Sequence, residues 1–192
     1  MAHSIALFGT SSDPPTRGHQ CLLEGLVQRF NAVVIWASDN PMKRHSAPLS
    51  VRSALLQALV DDMADRRVSL LQDLSSPWAV STVHRAAHRW PDHELIFVIG
   101  SDLVPQIPRW KQVDAFLARC RLAVAPRQGW PLQPSELETL QRLGATIEVL
   151  DLAIPASASS ELRQAPQEDQ IPAAVWPLLL KHNLYGLATS RR

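Results

Sequence analysis

Short apolar runs alternate with amphipathic stretches along nearly the whole chain. The apolar runs predict strands near 5–8, 32–37, 67–72, 94–99, 122–125 and 146–150. Apolar residues recurring at helical spacing predict helices at 17–30, from a cap at Ser50, and at 77–90, 111–119, 135–143 and around 171–183. This alternation predicts right-handed parallel crossovers and a doubly wound parallel sheet, a Rossmann-like α/β fold. We expect a single domain over 1–192, with the last few residues as a frayed tail.

The first strand leads into a loop suited to phosphate. Residues 4–19 read SIALFGTSSDPPTRGH, so the apolar run breaks at Gly9 into a small loop rich in hydroxyl groups. A helix start presents unpaired backbone N–H groups and a positive dipole end. Gly9, Thr10 and Ser11 are therefore predicted to cradle the phosphates of a nucleotide.

The start of the following helix strengthens this prediction. Thr16 is a plausible N-cap, and His19 falls in the first helical turn, within reach of a bound phosphate. Gly18 has no side chain, so a phosphate can approach the backbone there. A lone histidine on a helix face would not predict a phosphate site, but His19 directly follows the predicted phosphate loop.

Other polar residues come where neighbouring strands end. Lys43 follows the second strand, and Gly100 and Asp102 follow the strand at 94–99. The carboxyl ends of parallel strands meet at one edge of the sheet, where such folds bind ligands. We therefore expect these residues to converge on the phosphate loop.

Charge, hydropathy, and the cysteine and histidine positions argue against several classes of function. The 192 residues carry 19 Lys and Arg against 18 Asp and Glu, so the charge predicts neither nucleic-acid nor membrane binding. The chain shows no secretion signal and no apolar run of the roughly 20 residues that span a bilayer, which predicts a cytoplasmic protein. Cys21 and Cys120 lie far apart in the sequence and form no CxxC or Cys/His ligand pattern, which fits reduced thiols. His84 and His88 lack a third ligand nearby, so no side-chain metal site is predicted.

The opening loop resembles a known signature. Residues 16–19, TRGH, resemble the (H/T)xGH motif of the nucleotidyltransferase superfamily. Residues 9–19 resemble the GGTFDPIHxGH opening of the bacterial nicotinate mononucleotide adenylyltransferases. The resemblance implies the nucleotidyltransferase fold, with ATP bound at the loop.

Two later segments resemble this family with departures. The stretch from Pro41 to Lys43, followed by Arg52, is similar to the family's PxHK…RxxMLxxA, with Met42 where a histidine is usual. The stretch 76–83 is similar to SYTxDTL and keeps an aromatic ring at Trp78. By this resemblance Trp78 and Thr82 bind the acceptor nucleotide, and Lys43 binds it as well.

The segment 97–110, FVIGSDLVPQIPRW, is close to the family's FIxGxDxxxxLxxW. The resemblance implies that Gly100 and Asp102 bind ATP, Asp102 through a ribose hydroxyl. It also implies that Trp110 stacks on the nicotinate ring, while the backbone near Lys111 recognises the ring carboxylate.

The last matches extend the resemblance over nearly the whole chain. Arg127 stands in a segment similar to the strand that ends in RPG, which implies a place near the mononucleotide phosphate. Residues 157–163 resemble ISSTxIR, in which hydroxyls and amides bind ATP phosphates. Ser159, Ser160 and Arg163 are the residues so implied.

Transfer of AMP from ATP to nicotinate mononucleotide is the predicted reaction. The acceptor phosphate is already largely dianionic near neutral pH, so positioning and charge stabilisation suffice. His19, Thr16 and Lys43 are the predicted donors to the transferring group, with Mg²⁺ carried on the ATP phosphates and no metal held by protein side chains. Another transferase of the superfamily, such as phosphopantetheine adenylyltransferase, and a non-catalytic nucleotide-binding module stay open. The partners predicted are ATP and nicotinate mononucleotide, and a homo-oligomer stays possible.

Overall fold

Six parallel strands form the central sheet of the computed structural model, which describes residues 3–40, 43–155 and 159–187. Their bounds are β1 Ser4–Thr10, β2 Ala32–Ala37, β3 Val68–Leu70, β4 Glu94–Gly100, β5 Arg121–Ala125 and β6 Ile147–Val149. The sheet order is β3-β2-β1-β4-β5-β6, and each pairing is parallel. The predicted doubly wound sheet is confirmed.

Side chains from the central strands alternate between two apolar layers. Ala6 and Phe8 face one layer, whereas Ile5 and Leu7 face the other. Strands buried on both faces read as continuous apolar runs, which is why the sequence reveals them.

Seven α-helices cover the sheet in the part of the chain that the structure describes. They are α1 Arg17–Arg29, α2 Leu49–Met63, α3 Ala79–Arg89, α4 Val113–Leu117, α5 Pro134–Arg142, α6 Ser159–Gln164 and α7 Trp176–Lys181. Helices α1, α2, α6 and α7 contribute to the apolar layer of Ala6, and α3, α4 and α5 contribute to that of Ile5. 3₁₀ helices lie at 72–74, 101–109, 168–170 and 184–186.

The order of the strands favours a ligand site beside β1. The chain runs outward from β1 to β3, then returns across the sheet to β4 on the other side of β1. Such a reversal opens a crevice at the carboxyl ends of the strands. The loop after β1 and the end of β4 are neighbours at this edge of the sheet.

Some helices differ from the sequence expectation. Helix α2 begins at Leu49 with Pro48 as its N-cap, so Ser50 lies inside the helix and is not the cap. The helix expected at 111–119 is only Val113–Leu117, and it starts late because Gln112 adopts a left-handed φ of 52°.

The last expected helix is also shorter than its apolar pattern. Helix α7 covers only Trp176–Lys181 of the expected 171–183, with Pro177 in its first turn. Residues 159–160, expected in a loop, begin α6. The frayed tail expected for the last few residues falls on 188–192, outside the described ranges.

In the described part of the chain, no helix combines the length and the apolar character needed to cross a membrane.

Candidate active site

The phosphate loop, residues 10–18, joins β1 to α1 at the crevice. Ser12 takes a left-handed φ of 43° and is almost fully buried. Gly9 precedes the loop beneath the buried Trp36 indole, where an added Cβ would stand 2.7 Å from three ring atoms. Gly9 thus allows the Trp36 ring to pack directly on the strand that enters the loop.

His19 is fixed by two threonines of this loop. Its Nδ1 accepts a hydrogen bond from the backbone N–H of Thr16 at 3.1 Å and lies 2.9 Å from Thr16 Oγ1. Because Nδ1 accepts, the neutral ring carries its proton on Nε2, which donates to Thr10 Oγ1 at 2.8 Å. The imidazole is therefore oriented as an Nε2–H donor at the first turn of α1.

The surroundings also keep this ring uncharged. Burial, followed by the nearby charge of Arg127, lowers the pKa of His19 to about 4. At neutral pH His19 is a hydrogen-bond donor without a positive charge. Thr16 is 1% exposed and is the N-cap of α1, so its observed contacts orient the ring.

Asp13 connects the phosphate loop to two distant segments. Its carboxylate accepts from the backbone N–H groups of Ser46, at 2.6 Å, and Ala47, at 3.2 Å. The hydroxyl of Tyr185 donates to the same carboxylate at 2.5 Å. Burial, together with this bond, raises the pKa of Tyr185. Asp13 itself is 1% exposed, so these donors replace water around a buried charge.

Arg52 makes a second buried connection. Its guanidinium donates to the carbonyls of Ala47 at 3.1 Å and of Ser11 and Ser38 at 2.8 Å each. Asp39 lies 3.6 Å from it as an ion-pair partner. One side chain of α2 thus binds the phosphate loop, the end of β2 and the segment before α2. Lys43, which is exposed, is carried by the loop that Asp13 and Arg52 anchor.

Helix α6 is attached to the phosphate loop from the other side. Ser159 Oγ donates to the Pro14 carbonyl, and Arg163 donates to the Asp13 carbonyl, both at 2.9 Å. A Cβ on Gly18 would stand 3.1 Å from the carbonyl oxygen of Pro155, so the glycine permits this close approach. Ser160 is exposed at the start of α6.

Residues at the ends of β4 and β5 are joined by hydrogen bonds and an ion pair. Asp102, just after Gly100, pairs with Arg127 at 3.0 Å. Ser101 Oγ accepts from the backbone N–H of Arg127 at 3.0 Å and donates to the carbonyl of Trp130 at 2.8 Å. The turn after β5 is thereby held against β4, and Arg127 lies close enough to influence His19.

The two tryptophans that are predicted to contact the acceptor differ in environment. Trp78 is 46% exposed, and the Lys111 ammonium lies 4.8 Å from its ring centroid. Trp110 instead packs against Phe97 and Phe116, with centroid distances of 6.3 and 5.4 Å. Its predicted stacking on the acceptor stays a prediction.

Thr82, also expected to bind the acceptor, is buried. Its hydroxyl donates to the Leu74 carbonyl at 2.9 Å. This bond holds the segment before α3, and a direct contact with the acceptor stays a prediction.

The sequence assigns no specific role to three residues that the structure joins in hydrogen bonds of the phosphate loop. These are Asp13, Tyr185 and His45, whose Nε2 lies 3.3 Å from Ser11 Oγ. Burial, followed by the charge of Arg52, lowers the pKa of His45. Asp13 stands inside the recognised motif and could have been found. Tyr185 ends the segment 172–185, which resembles the family's closing LxPxxVxxYIxxxxLY, but neither that segment nor the sequence around His45 indicates a contact with the loop.

Some residues quoted for the family resemblance are not described. Pro41, Met42, Ser157 and Ala158 lie outside the described residues. Among the residues that are described, no group of three or more His, Cys, Asp or Glu side chains could hold a metal ion.

Comparison with known proteins identifies the family. The cytidylyltransferase-like family model matches residues 7–165. A Synechocystis sp. protein named "Probable nicotinate-nucleotide adenylyltransferase" is 37% identical, over 94% of this chain and 98% of its own. The chain belongs to the nicotinate-nucleotide adenylyltransferases of this family. A relative of the same name from Gemmatimonas aurantiaca is 29% identical over 94% of this chain and 92% of its own.

Solved structures agree on the fold. A Plasmodium falciparum nicotinic acid mononucleotide adenylyltransferase complexed with NaAD superposes with a TM-score of 0.81, covering 97% of this chain and 98% of that one. The same enzyme complexed with APC superposes with a TM-score of 0.75. Their sequence identities are only 16% and 15%, so these likenesses concern the fold. The predicted family and the fold it implies are confirmed.

Proposed function

We propose that this chain transfers the adenylyl group of ATP to nicotinate mononucleotide, forming nicotinate adenine dinucleotide and pyrophosphate. An oxygen of the acceptor phosphate bonds to the ATP α-phosphorus, and the bond from that phosphorus to the pyrophosphate oxygen breaks. The observation that carries the proposal is the construction around His19, where two threonines orient a neutral ring beside a helix start. The names of the relatives fit the same reaction.

His19 is the donor to the transferring phosphoryl group. In the free protein, the Nε2–H group of His19 donates a hydrogen bond to the Thr10 hydroxyl. A phosphoryl oxygen that enters the loop would accept this hydrogen bond in place of Thr10. A neutral imidazole keeps its proton while negative charge develops on the phosphoryl oxygens. The His19 ring therefore stabilises this charge by a hydrogen bond and does not act as an acid. Thr16 is the positioning residue, because its N–H fixes the ring tautomer.

The remaining residues neutralise charge on either side of His19. Lys43 and Arg127 are exposed cations at the ends of β2 and β5, suited to the acceptor phosphate. Ser159, Ser160 and Arg163 lie beside the phosphate loop on α6, suited to the ATP phosphates. Asp102, held by Arg127, is suited to a ribose hydroxyl.

Mg²⁺ enters this scheme as part of the substrate, MgATP. Mg²⁺ commonly binds substrate phosphates and keeps several waters, so it needs no cage of protein ligands. It would supply charge neutralisation on the phosphates, while His19 and the cations act on the transferring group.

Pyrophosphate release tests the function. Purified protein is incubated with ATP, Mg²⁺ and, separately, nicotinate mononucleotide, nicotinamide mononucleotide or phosphopantetheine. We expect the fastest release with nicotinate mononucleotide. Release only with phosphopantetheine would support the alternative transferase, and no release with any acceptor would support a nucleotide-binding module.

A further inference from the structure

We propose that Tyr185 is a positioning residue for ATP. Its hydroxyl, acting through the Asp13 carboxylate, holds the phosphate loop in the geometry that binds the triphosphate. This inference rests on the proposed function, because ATP is the donor substrate of that reaction. It adds to the ATP site a side chain that lies 172 positions from Asp13 in the sequence and that touches no substrate.

The hydrogen bond between Tyr185 and Asp13 is short and lies in a poorly hydrated place. The phenol donates to Asp13 Oδ1 at 2.5 Å, whereas the N–H of Ala47 reaches the same oxygen only at 3.2 Å. Asp13 is buried, so a lost donor is not simply replaced by bulk water. Burial, followed by the bond itself, raises the pKa of Tyr185, so the hydroxyl keeps its proton at neutral pH and acts as a donor.

The backbone at Tyr185 is strained where it makes this contact. Tyr185 has a φ of 55° and a ψ of 33°, and Asn183, two residues earlier, has a φ of 49°. Both residues are left-handed although neither is glycine, and an aromatic residue in this region is an outlier. Such a conformation persists only where the surroundings stabilise it, and such residues concentrate at functional sites. The bond to Asp13 is one contact that stabilises it here.

Tyr185 also lies beside the helix on which ATP phosphates are predicted to bind. Its 3₁₀ turn, 184–186, packs against α6, and its ring packs on the apolar layer of Ala6. From α6, Arg163 donates to the backbone carbonyl of Asp13 at 2.9 Å. The phosphate loop is therefore attached to this part of the fold twice at one residue, through its backbone by α6 and through its carboxylate by Tyr185.

The predicted acceptor contacts belong to the other side of the sheet. Trp110, predicted to stack on the acceptor ring, packs in the apolar layer of Ile5, opposite the layer that holds the Tyr185 ring. Loss of the Tyr185 hydroxyl should displace the phosphate loop relative to α6 and leave the surroundings of Trp110 in place. The expected defect is therefore in ATP binding and not in acceptor binding.

Tyr185→Phe tests this assignment, because phenylalanine keeps the packed ring and removes only the hydroxyl. Pyrophosphate release gives KM for ATP and for nicotinate mononucleotide. Calorimetry gives the Kd for an ATP analogue with a methylene bridge between its α- and β-phosphorus atoms, without any need for turnover. We expect KM for ATP and this Kd to rise about tenfold, and KM for the acceptor to change less than about twofold.

Cys120→Ala is the matched control for a general loss of stability. The Cys120 thiol is buried in the layer of Ile5, where it donates to the Phe116 carbonyl. Cys120 directly precedes β5, so it lies at the amino ends of the strands, away from the site. This variant should lower the Tm and leave both KM values and the Kd of the analogue unchanged.

A double-mutant cycle tests whether Tyr185 acts through Asp13. Asp13→Asn removes the charge of the acceptor and should by itself raise the Kd of the analogue, which examines the same bond from its other end. Hydrogen bonds to a charged group are about twice as strong as neutral ones, so half of a tenfold effect in free energy remains. Tyr185→Phe should therefore raise the Kd only about threefold in the Asp13→Asn background.

Three outcomes would overturn the inference. An unchanged Kd for the analogue in Tyr185→Phe, equal increases in both KM values, or the same tenfold effect in the Asp13→Asn background would each remove Tyr185 from this role. A wild-type protein that binds the analogue but releases no pyrophosphate with any acceptor is a different result. It would refute the proposed function, while the calorimetric comparison would still decide the role of Tyr185.

Discussion

Replacing Arg52 by methionine tests whether one buried guanidinium holds the phosphate loop and both ends of the β2–α2 loop in place. The side chain is 1% exposed, and its hydrogen bonds end on the carbonyls of Ser11, Ser38 and Ala47. Methionine fills similar space along the stem but donates no hydrogen bond. The three carbonyls therefore lose their donor at once.

The expected cost follows from these contacts. A buried carbonyl left without its donor costs about 1–3 kcal/mol, so three would cost about 3–9 kcal/mol. Two effects reduce this sum. Ser11 and Ser38 are only partly buried, so water can replace part of the lost bonding, and the variant no longer buries a charge, whose burial lowers the pKa of Arg52. We expect a net loss near the lower limit, about 3 kcal/mol, or about 6–12 °C in Tm for a chain of this size.

Thermal unfolding followed by circular dichroism measures this loss. Arg66→Met, the same substitution at an exposed arginine, is the matched control. Arg52→Lys should fall between wild type and Arg52→Met, because an ammonium keeps the charge but lacks the fork that reaches separate carbonyls. An Arg52→Met protein that unfolds within about 2 °C of the control would refute the reasoning.

Three further predictions concern the site itself. His19→Ala should lower turnover about 100-fold or more with the fold intact, and near wild-type turnover would remove His19 from its assigned role. By NMR, the His19 ring should not titrate between about pH 8 and about pH 5.5, because its pKa is lowered to about 4, so turnover lost near pH 6 reflects protonation of the acceptor phosphate. A His19 midpoint near its ordinary value would contradict this. Trp110→Ala should raise KM for the acceptor and leave KM for ATP unchanged, and an unchanged acceptor KM would place Trp110 outside the site.

The strands could be predicted because their signal is local and apolar. The run 32–37 coincides with β2, since burial on both faces makes each position apolar. The first strand extends further than its apolar run, through Thr10, because pairing with β2 continues to Ala37. Backbone pairing extends a strand past the point where its side chains stop being apolar.

Helix lengths and site partners were less predictable for different reasons. The segment 101–109 winds as a 3₁₀ helix containing Pro105 and Pro108, a form that helical periodicity does not indicate. The phosphate loop was predictable because its residues are contiguous. The bonds of Asp13 to Tyr185 and of Arg163 to the Asp13 carbonyl join residues 172 and 150 positions apart. No pattern in a single sequence indicates that residues so far apart in the chain are joined by hydrogen bonds in the fold.

The hydrogen bond between Asp13 and Tyr185 has a consequence for how the protein matures during synthesis. The tyrosine that completes the bonding of this buried carboxylate is synthesised 172 residues after it. Until then, the Asp13 carboxylate lacks this donor, although its two backbone donors at 46 and 47 are already in the chain. Nascent chains that lack Tyr185 would therefore carry every recognisable motif of the phosphate loop without the hydroxyl that completes the bonding of its carboxylate.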